Sequence, residues 1–289
     1  MIEKTFPKVF TTKTQSVQPG IEEEMSPKPV FEHEEYNNDG KRLKDKVAVI
    51  TGGDSGIGRA VSIAYAKEGA KVVILYLNED KDAGKTKEIV EGYGSECFLI
   101  KGDVGDEVFC KSAIDSVIKR FNKIDIIIPN AGEQHFTKNF QDISYKQLDR
   151  TFRTNLYGPM FIIKAALNYM GEFSSIIITT SITAYQGNDG LIDYSCSKGA
   201  LVTLTRSLSK SLASRGIRVN AVAPGPVWTP LIPASMPESE IISFGSKTAF
   251  KRAAQPVEIA EAYIFLASQG ASFITGETIH VNGGEFVCS

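Results

Sequence analysis

From about residue 43 onward, short aliphatic runs alternate with longer stretches of mixed polarity. The runs are VAVI at 47–50, VVIL at 72–75, CFLI at 97–100, IDIII at 124–128, SIIITT at 175–180, IRVNAVA at 217–223 and ETIHV at 277–281. Continuous apolar runs of this length read as strands buried on both faces, which is the habit of parallel sheets. The stretches between them are long enough to be helical crossovers. The pattern therefore predicts one α/β domain over 41–289, a doubly wound sheet of seven parallel strands with helices on both faces. Gly69 is placed to close the first helix, and Gly216 to close one that begins near Asp193.

Residues 1–40 break this pattern. Pro7, Pro19, Pro27 and Pro29, an acidic run from Glu22 to Glu24 and little apolar periodicity describe an extension without a core of its own. Two readings stand: a flexible tail, or an arm anchored by Val30, Phe31 and Tyr36 on the body or on a neighbouring subunit.

A net charge of -2, from 32 basic and 34 acidic side chains spread along the chain, gives no reason to expect nucleic acid or a membrane as partner. The expected ligand is small. With no apolar run in the first ten residues and none long enough for a bilayer, the expected location is cytoplasmic. Cys97, Cys110, Cys196 and Cys288 are too scattered for a disulfide framework or a zinc site and read as free thiols. His33, His135 and His280 lack ligand spacing, so no metal site is expected.

Chemistry concentrates where strands end. The first strand runs into Thr51-Gly52-Gly53-Asp54-Ser55-Gly56-Ile57-Gly58 and then a helix, the arrangement a dinucleotide site requires. Gly52 permits the tight turn, Gly56 lets a pyrophosphate approach the backbone, and Gly58 lets the helix pack closely. The helix N-terminus is expected to offer free N–H groups to the phosphates. Gly102-Asp103-Val104 and Pro129-Asn130-Ala131-Gly132 end the third and fourth strands, at the edge where such sheets bind ligands. At the end of the second strand Tyr76, Leu77 and Asn78 are not basic, and Glu79 and Asp80 would repel a 2′-phosphate. NAD is favoured, and use of NADP remains open.

The fifth strand delivers Ser181, and Tyr194-Ser195-Cys196-Ser197-Lys198 follows on a helix that puts Tyr194 and Lys198 one turn apart on one face. An ammonium about 4 Å from the phenol, at an effective dielectric of ~20, would favour the phenolate by roughly 4 kcal/mol, bringing Tyr194 near neutrality. Tyr194 could then exchange a proton with an alcohol or carbonyl oxygen that Ser181 hydrogen-bonds. A solvated Tyr/Lys pair on a helix surface is common, so the pair gains meaning only from its combination with the glycine turn.

Taken in order, TGGDSGIG, PNAG, Ser181, YSCSK and Pro224-Gly225-Pro226-Val227-Trp228-Thr229 resemble the short-chain dehydrogenase/reductase family over about residues 43–285. The resemblance extends to a bacterial branch with N-terminal extensions. It implies a Rossmann-type fold, a catalytic tetrad of Asn155, Ser181, Tyr194 and Lys198, and a Lys198 that also holds the nicotinamide ribose. It further implies that Asp103 and Val104 meet the adenine, that Asn130, Ala131 and Gly132 line the cofactor, and that Thr229 with the backbone of Pro224, Gly225 and Val227 touches carboxamide and pyrophosphate. Two departures stand out: Pro129 replaces a usual asparagine and removes a backbone donor, and Tyr76 occupies a position where NAD-preferring members often carry aspartate. The segment from Ile274 to Gly284 resembles the closing strand of members that assemble as homotetramers.

The expected function is hydride transfer between NAD(P) and a small alcohol or carbonyl compound. Trp228, Leu231, Ile232, Met236, Ile241, Ile242 and Phe244 are expected to give the substrate region an apolar surface. They could equally pack on the body as a lid. A dinucleotide sensor without turnover is the rival from another class, and the four tetrad positions argue against it. A sugar-nucleotide epimerase or dehydratase shares the Tyr/Lys pair but not this glycine spacing.

Overall fold

The computed structural model describes residues 7, 10–11, 14–32 and 41–287. The elements run β1 (Val47–Thr51), α1 (Gly56–Lys67), β2 (Lys71–Tyr76), α2 (Asp80–Gly92), β3 (Cys97–Lys101), α3 (Glu107–Phe121) and β4 (Ile126–Ile128). Next come α4 (Tyr145–Phe152), α5 (Gly158–Ala166), β5 (Ser175–Thr179), α6 (Thr183–Gln186), α7 (Ile192–Leu212) and β6 (Arg218–Pro224). The chain closes with α8 (Leu231–Ser235), α9 (Glu238–Ile242), α10 (Pro256–Ala267) and β7 (Thr278–Val281).

All seven strands pair in parallel in the order β3-β2-β1-β4-β5-β6-β7, the doubly wound sheet expected from the apolar runs. The order reverses between β1 and β4, which opens a crevice at the carboxyl ends of those strands. β4 begins later than its apolar run because Asp125 is taken up in side-chain contacts: its carboxylate accepts from Val47 N at 2.8 Å and pairs with Lys46 and Lys123.

Alternation along each strand divides the core between the two faces. Ala48, Ile50 and Ile74 pack with Ile63 of α1 and Tyr263 of α10, while Val47, Val49 and Val73 pack with Ile114 of α3, Ile162 of α5 and Leu201 of α7. Gly69 and Gly216 stand at φ +85° and +68°, as a residue ending a helix in the left-handed region requires.

The described part of the extension lies on the body. Phe10 stacks on Trp228 with ring centroids 4.2 Å apart, Trp228 Nε1 donates to Pro27 O at 2.8 Å, and Val30 N donates to Gln255 Oε1 at 2.7 Å. Phe31 lies against Arg59, 5.0 Å from ring centroid to guanidinium carbon. Phe10 and Met25 thereby join Trp228, Ile232, Ile241 and Ala253 in a third apolar cluster. Tyr36, His33 and Cys288 lie outside the described residues. Among the described residues, no helix is long and apolar enough to cross a membrane.

Candidate active site

The crevice is a cleft of about 320 Å³ running from the glycine turn to the end of β6. Gly52 holds φ +63°, and a Cβ there would lie 3.0 Å from Ala131 Cα; Gly56 holds φ +52°, and its Cβ would lie 3.1 Å from Thr229 Cγ2. Gly58 does not line the cleft: a Cβ on it would stand 1.9 Å from Gly52 O, so its hydrogen is what lets α1 close on the turn. Gly132 sits between Asn155 Oδ1 and Lys198 Nζ, where a Cβ would come within 3.3 and 3.4 Å of them. A cradle left open at these glycines, ending beside an ammonium, suits an extended anionic dinucleotide.

One expectation fails at the turn. The first N–H of α1 is not free: Gly56 N donates to Glu22 Oε2 at 2.7 Å, and Arg59 donates to the same carboxylate. Arg59 also pairs with Asp82 at 2.9 Å, so a buried Glu22–Arg59–Asp82 group ties the extension to α1 and α2. Burial pushes the Glu22 carboxyl up, against the pull of Arg59.

Asp54, Ser55, Ile57, Tyr76, Leu77 and Glu79 form one end of the cleft. Burial, reinforced by the Glu79 charge, raises Asp54 to about 7. The Tyr76 hydroxyl donates to Asp80 Oδ1 at 2.9 Å, and Lys101 pairs with the other oxygen of that carboxylate. Asp103 and Val104 line the neighbouring wall, with Asp103 held by Arg150 at 2.6 Å. Arg150 was not legible as a site residue; it bridges Asp103 to the buried Glu133.

The loop after β4 is fixed by Thr51, whose Oγ1 accepts from both Asn130 N and Ala131 N at 3.0 Å. Asn130 Nδ2 donates to Thr51 O and Gly52 O, each at 3.2 Å, and its Oδ1 accepts from Thr179 Oγ1. Thr179 in turn shares a 2.6 Å hydrogen bond with Tyr263, a second residue without a sequence signal because it sits on the apolar face of α10. Pro129, which lacks an N–H, still accepts from Thr179 N at 3.1 Å.

Ser181, Tyr194 and Lys198 line the opposite end, and Pro224, Gly225, Val227 and Thr229 continue the wall. Ser181 Oγ accepts from Thr183 N at 3.2 Å and Thr183 Oγ1 at 3.1 Å. Lys198 Nζ donates to Thr179 O at 2.9 Å and lies 5.6 Å from the Tyr194 ring centroid. Asn155 is fully buried in a π turn over Arg153–Tyr157 that joins α4 to α5, a distortion that often marks functional positions. Its Oδ1 accepts from Glu133 N and its Nδ2 donates to Glu133 O, both at 2.9 Å, so it pins the loop beside Gly132 and does not itself line the cleft.

The predicted titration of Tyr194 is corrected. Burial pushes the phenol up to about 12, with only Ser181 pulling down, and brings Lys198 down to about 8. Desolvation outweighs the attraction of an ammonium that is turned toward Thr179 O. The apolar surface expected of 226–250 is also redistributed: Trp228 and Ile241 are buried under the extension, Ile242 faces outward, and Leu231, Ile232, Met236 and Phe244 reach the cleft. Polar side chains of Gln134, Gln186, Asn188, Lys247 and Glu285, none of which carried a motif, share that end.

A family model described as enoyl-(acyl carrier protein) reductase matches residues 52–285. General stress protein 39 of Bacillus subtilis (strain 168) is 53% identical over 282 residues, 98% of each chain. Glucose and ribitol dehydrogenase homolog 2 of Arabidopsis thaliana is 48% identical over 285 residues, covering 96% of this chain and 98% of the relative. A short chain dehydrogenase from Burkholderia cenocepacia J2315, solved in complex with NADP, superposes with a TM-score of 0.80 at 30% identity over 84% of this chain and 99% of its own. With the fold, the glycine turn and relatives of full length in agreement, this chain belongs to the short-chain dehydrogenase/reductase family of NAD(P)-dependent oxidoreductases.

Proposed function

We propose that the chain interconverts a small alcohol and its aldehyde or ketone, with NAD as the preferred dinucleotide and Tyr194 as the acid/base. The reading rests on one observation above the others: Ser181, Tyr194 and Lys198, all three buried, converge at one end of the cleft. When bound, the nicotinamide supplies or takes the hydride.

The chain's own residues do the rest. Ser181, oriented by Thr183, hydrogen-bonds the substrate oxygen, and Tyr194 donates its proton to that oxygen in reduction or receives one in oxidation. A phenol held protonated by burial suits the reducing direction near neutral pH. Lys198 contributes positive charge in a site that excludes water, where charge acts more strongly. Asn155 holds the loop carrying Gly132 in place beside Lys198. Gln134, Gln186 and Asn188 offer hydrogen bonds to further hydroxyls, which favours an uncharged polyhydroxy substrate or its carbonyl form.

NAD is favoured because Asp54 and Glu79 would face a 2′-phosphate, while the nearby Arg59 is committed to Glu22 and Asp82. Since the Burkholderia neighbour was solved with NADP, the choice is quantitative, and Asp54 is the residue on which it turns. A homotetramer is supported by apolar side chains left exposed on α4, on α5 and on the π turn between them, such as Tyr145, Met160 and Tyr157, and near the edge strand β7 by Phe273 and Val287. Free Cys97, Cys110 and Cys196 fit a reducing cytoplasm.

The test is Tyr194→Phe, followed at 340 nm with NAD(H) and NADP(H) across alcohols, polyols, sugars, aldehydes and ketones. The variant is expected to keep dinucleotide binding and to lose about 10²–10⁴-fold in kcat, the usual worth of a positioned acid/base. Turnover at the wild-type rate would end this reading.

A further inference from the structure

The extension does more than cover an apolar patch. Gln15 N donates to Pro233 O at 2.5 Å, and the Gln15 amide exchanges hydrogen bonds with the backbone of Ile21, accepting from its N at 2.5 Å and donating to its O at 2.7 Å. This closes residues 15–21 into a self-bonded loop seated on the substrate segment. At its tip, the Gln18 amide pairs with the backbone of Gln134, donating to O and accepting from N at 3.2 Å. Gln134 lies two residues beyond Gly132 and faces the cleft. Gly20 is pressed against α8: a Cβ on it would stand 2.0 Å from Pro230 O and 2.7 Å from Ala234 Cβ. Glu22 then latches the segment to Gly56 and Arg59. The loop thus crosses the mouth of the cleft from the β4 rim to the glycine turn, and Pro19 and Gly20 are part of its lining.

We propose that Gln18, Pro19 and Gly20 form a specificity-determining wall of the active site, which admits compact alcohols and carbonyl compounds and excludes those with bulky groups next to the reacting carbon. The proposal rests on the oxidoreductase reading above. Without the loop, the substrate end would be bounded on its outer side only by α8 and Gln134, which touch through the 2.8 Å hydrogen bond from Gln134 Nε2 to Ser235 Oγ, and the space beside that contact would open to solvent. With it, an apolar ring and a close-packed backbone fill that space, and a filled space rejects a substrate by sterics that no favourable contact offsets.

Gly20→Val drives a side chain into Pro230 and Ala234 and so lifts the loop without touching Ser181, Tyr194 or Lys198. Trp228, the one tryptophan in the chain, reports the lift, because it lies under Phe10 and donates to Pro27 O. Emission and acrylamide quenching of Trp228 are read beside kcat/KM for propanal, butanal, 3-methylbutanal and cyclohexanecarbaldehyde, with the dissociation constant for NADH measured separately. In the lifted variant the kcat/KM ratio of cyclohexanecarbaldehyde to propanal is expected to rise at least about tenfold. An unchanged ratio with Trp228 uncovered overturns the proposal. Gln18→Ala, which cuts the bonds to Gln134 without a wedge, and a chain lacking residues 1–32 are read in the same way. An unchanged ratio in every variant that still binds NADH also overturns it. If the wild type binds NADH but turns over none of these aldehydes and none of the alcohols, polyols, sugars and ketones of the wider panel, the oxidoreductase reading is at fault. The wall is then read from binding of the same aldehydes to the NADH complex by saturation-transfer NMR, where the ratio must move likewise.

Discussion

Replacing Lys198 by methionine should make the protein more resistant to unfolding relative to wild type at neutral pH than at alkaline pH. Lys198 is 3% exposed, and burial brings its ammonium from 10.5 to about 8. That difference corresponds to about 3 kcal/mol of disfavoured charge at pH 7. Part of it is offset in the variant, because Thr179 O loses its donor, at roughly 1–3 kcal/mol. The pH dependence isolates the charge effect. Between pH 8 and 10.5 the unfolded chain holds a proton on Lys198 that the folded chain has released, so wild-type stability rises with pH in that window. At pH 9.5 about one unit of the difference is left, so the wild type should gain about 2 kcal/mol relative to Lys198→Met between pH 7 and 9.5. Buried Cys97, Cys110, Tyr65 and Tyr263, all pushed upward, titrate in both proteins and cancel in the comparison. Urea unfolding of the pair at pH 7, 8.5 and 9.5 measures the difference, and a value constant across the series would refute the claim that Lys198 is a desolvated charge.

Asp54→Asn should raise the ratio of kcat/KM with NADP to that with NAD by about ten- to a hundredfold, as expected when a charge beside a phosphate is removed. Because burial sets Asp54 near 7, the wild-type ratio should also rise as pH falls from 8 to 6, and a ratio insensitive to both changes places the 2′-position elsewhere. Light scattering should find a particle about four times the 31.5 kDa chain, and a monomer at micromolar concentration ends the tetramer proposal.

The sheet was readable because its signal is local. Buried parallel strands must be apolar on both faces, and runs such as VVIL and SIIITT can do little else. The glycine turn was readable for the same reason: at Gly52, Gly56 and Gly58 the backbone excludes every side chain. Residues acting across long separations were not. Arg150 looks like any surface arginine on a polar helix until the fold brings Asp103 and Glu133 to either side of it. Glu22, in an acidic run that reads as solvated, is buried because Arg59, thirty-seven residues later, needs a partner. Tyr194 was found by spacing but its titration was not, since the pull of a charge can be read from helical periodicity and the degree of burial cannot.

The docking of the extension also has a consequence for how the protein comes into being. Pro27 meets Trp228 across 201 positions and Val30 meets Gln255 across 225, so this segment is synthesised long before its partners. Loop closure over such spans is slow relative to the local pairing of β1 and β2, and until residues 226–256 have emerged there is nothing for Phe10 or Met25 to rest on. Until then these apolar side chains have no partner on the chain, and the site acquires its outer boundary only after the body beneath the extension has formed.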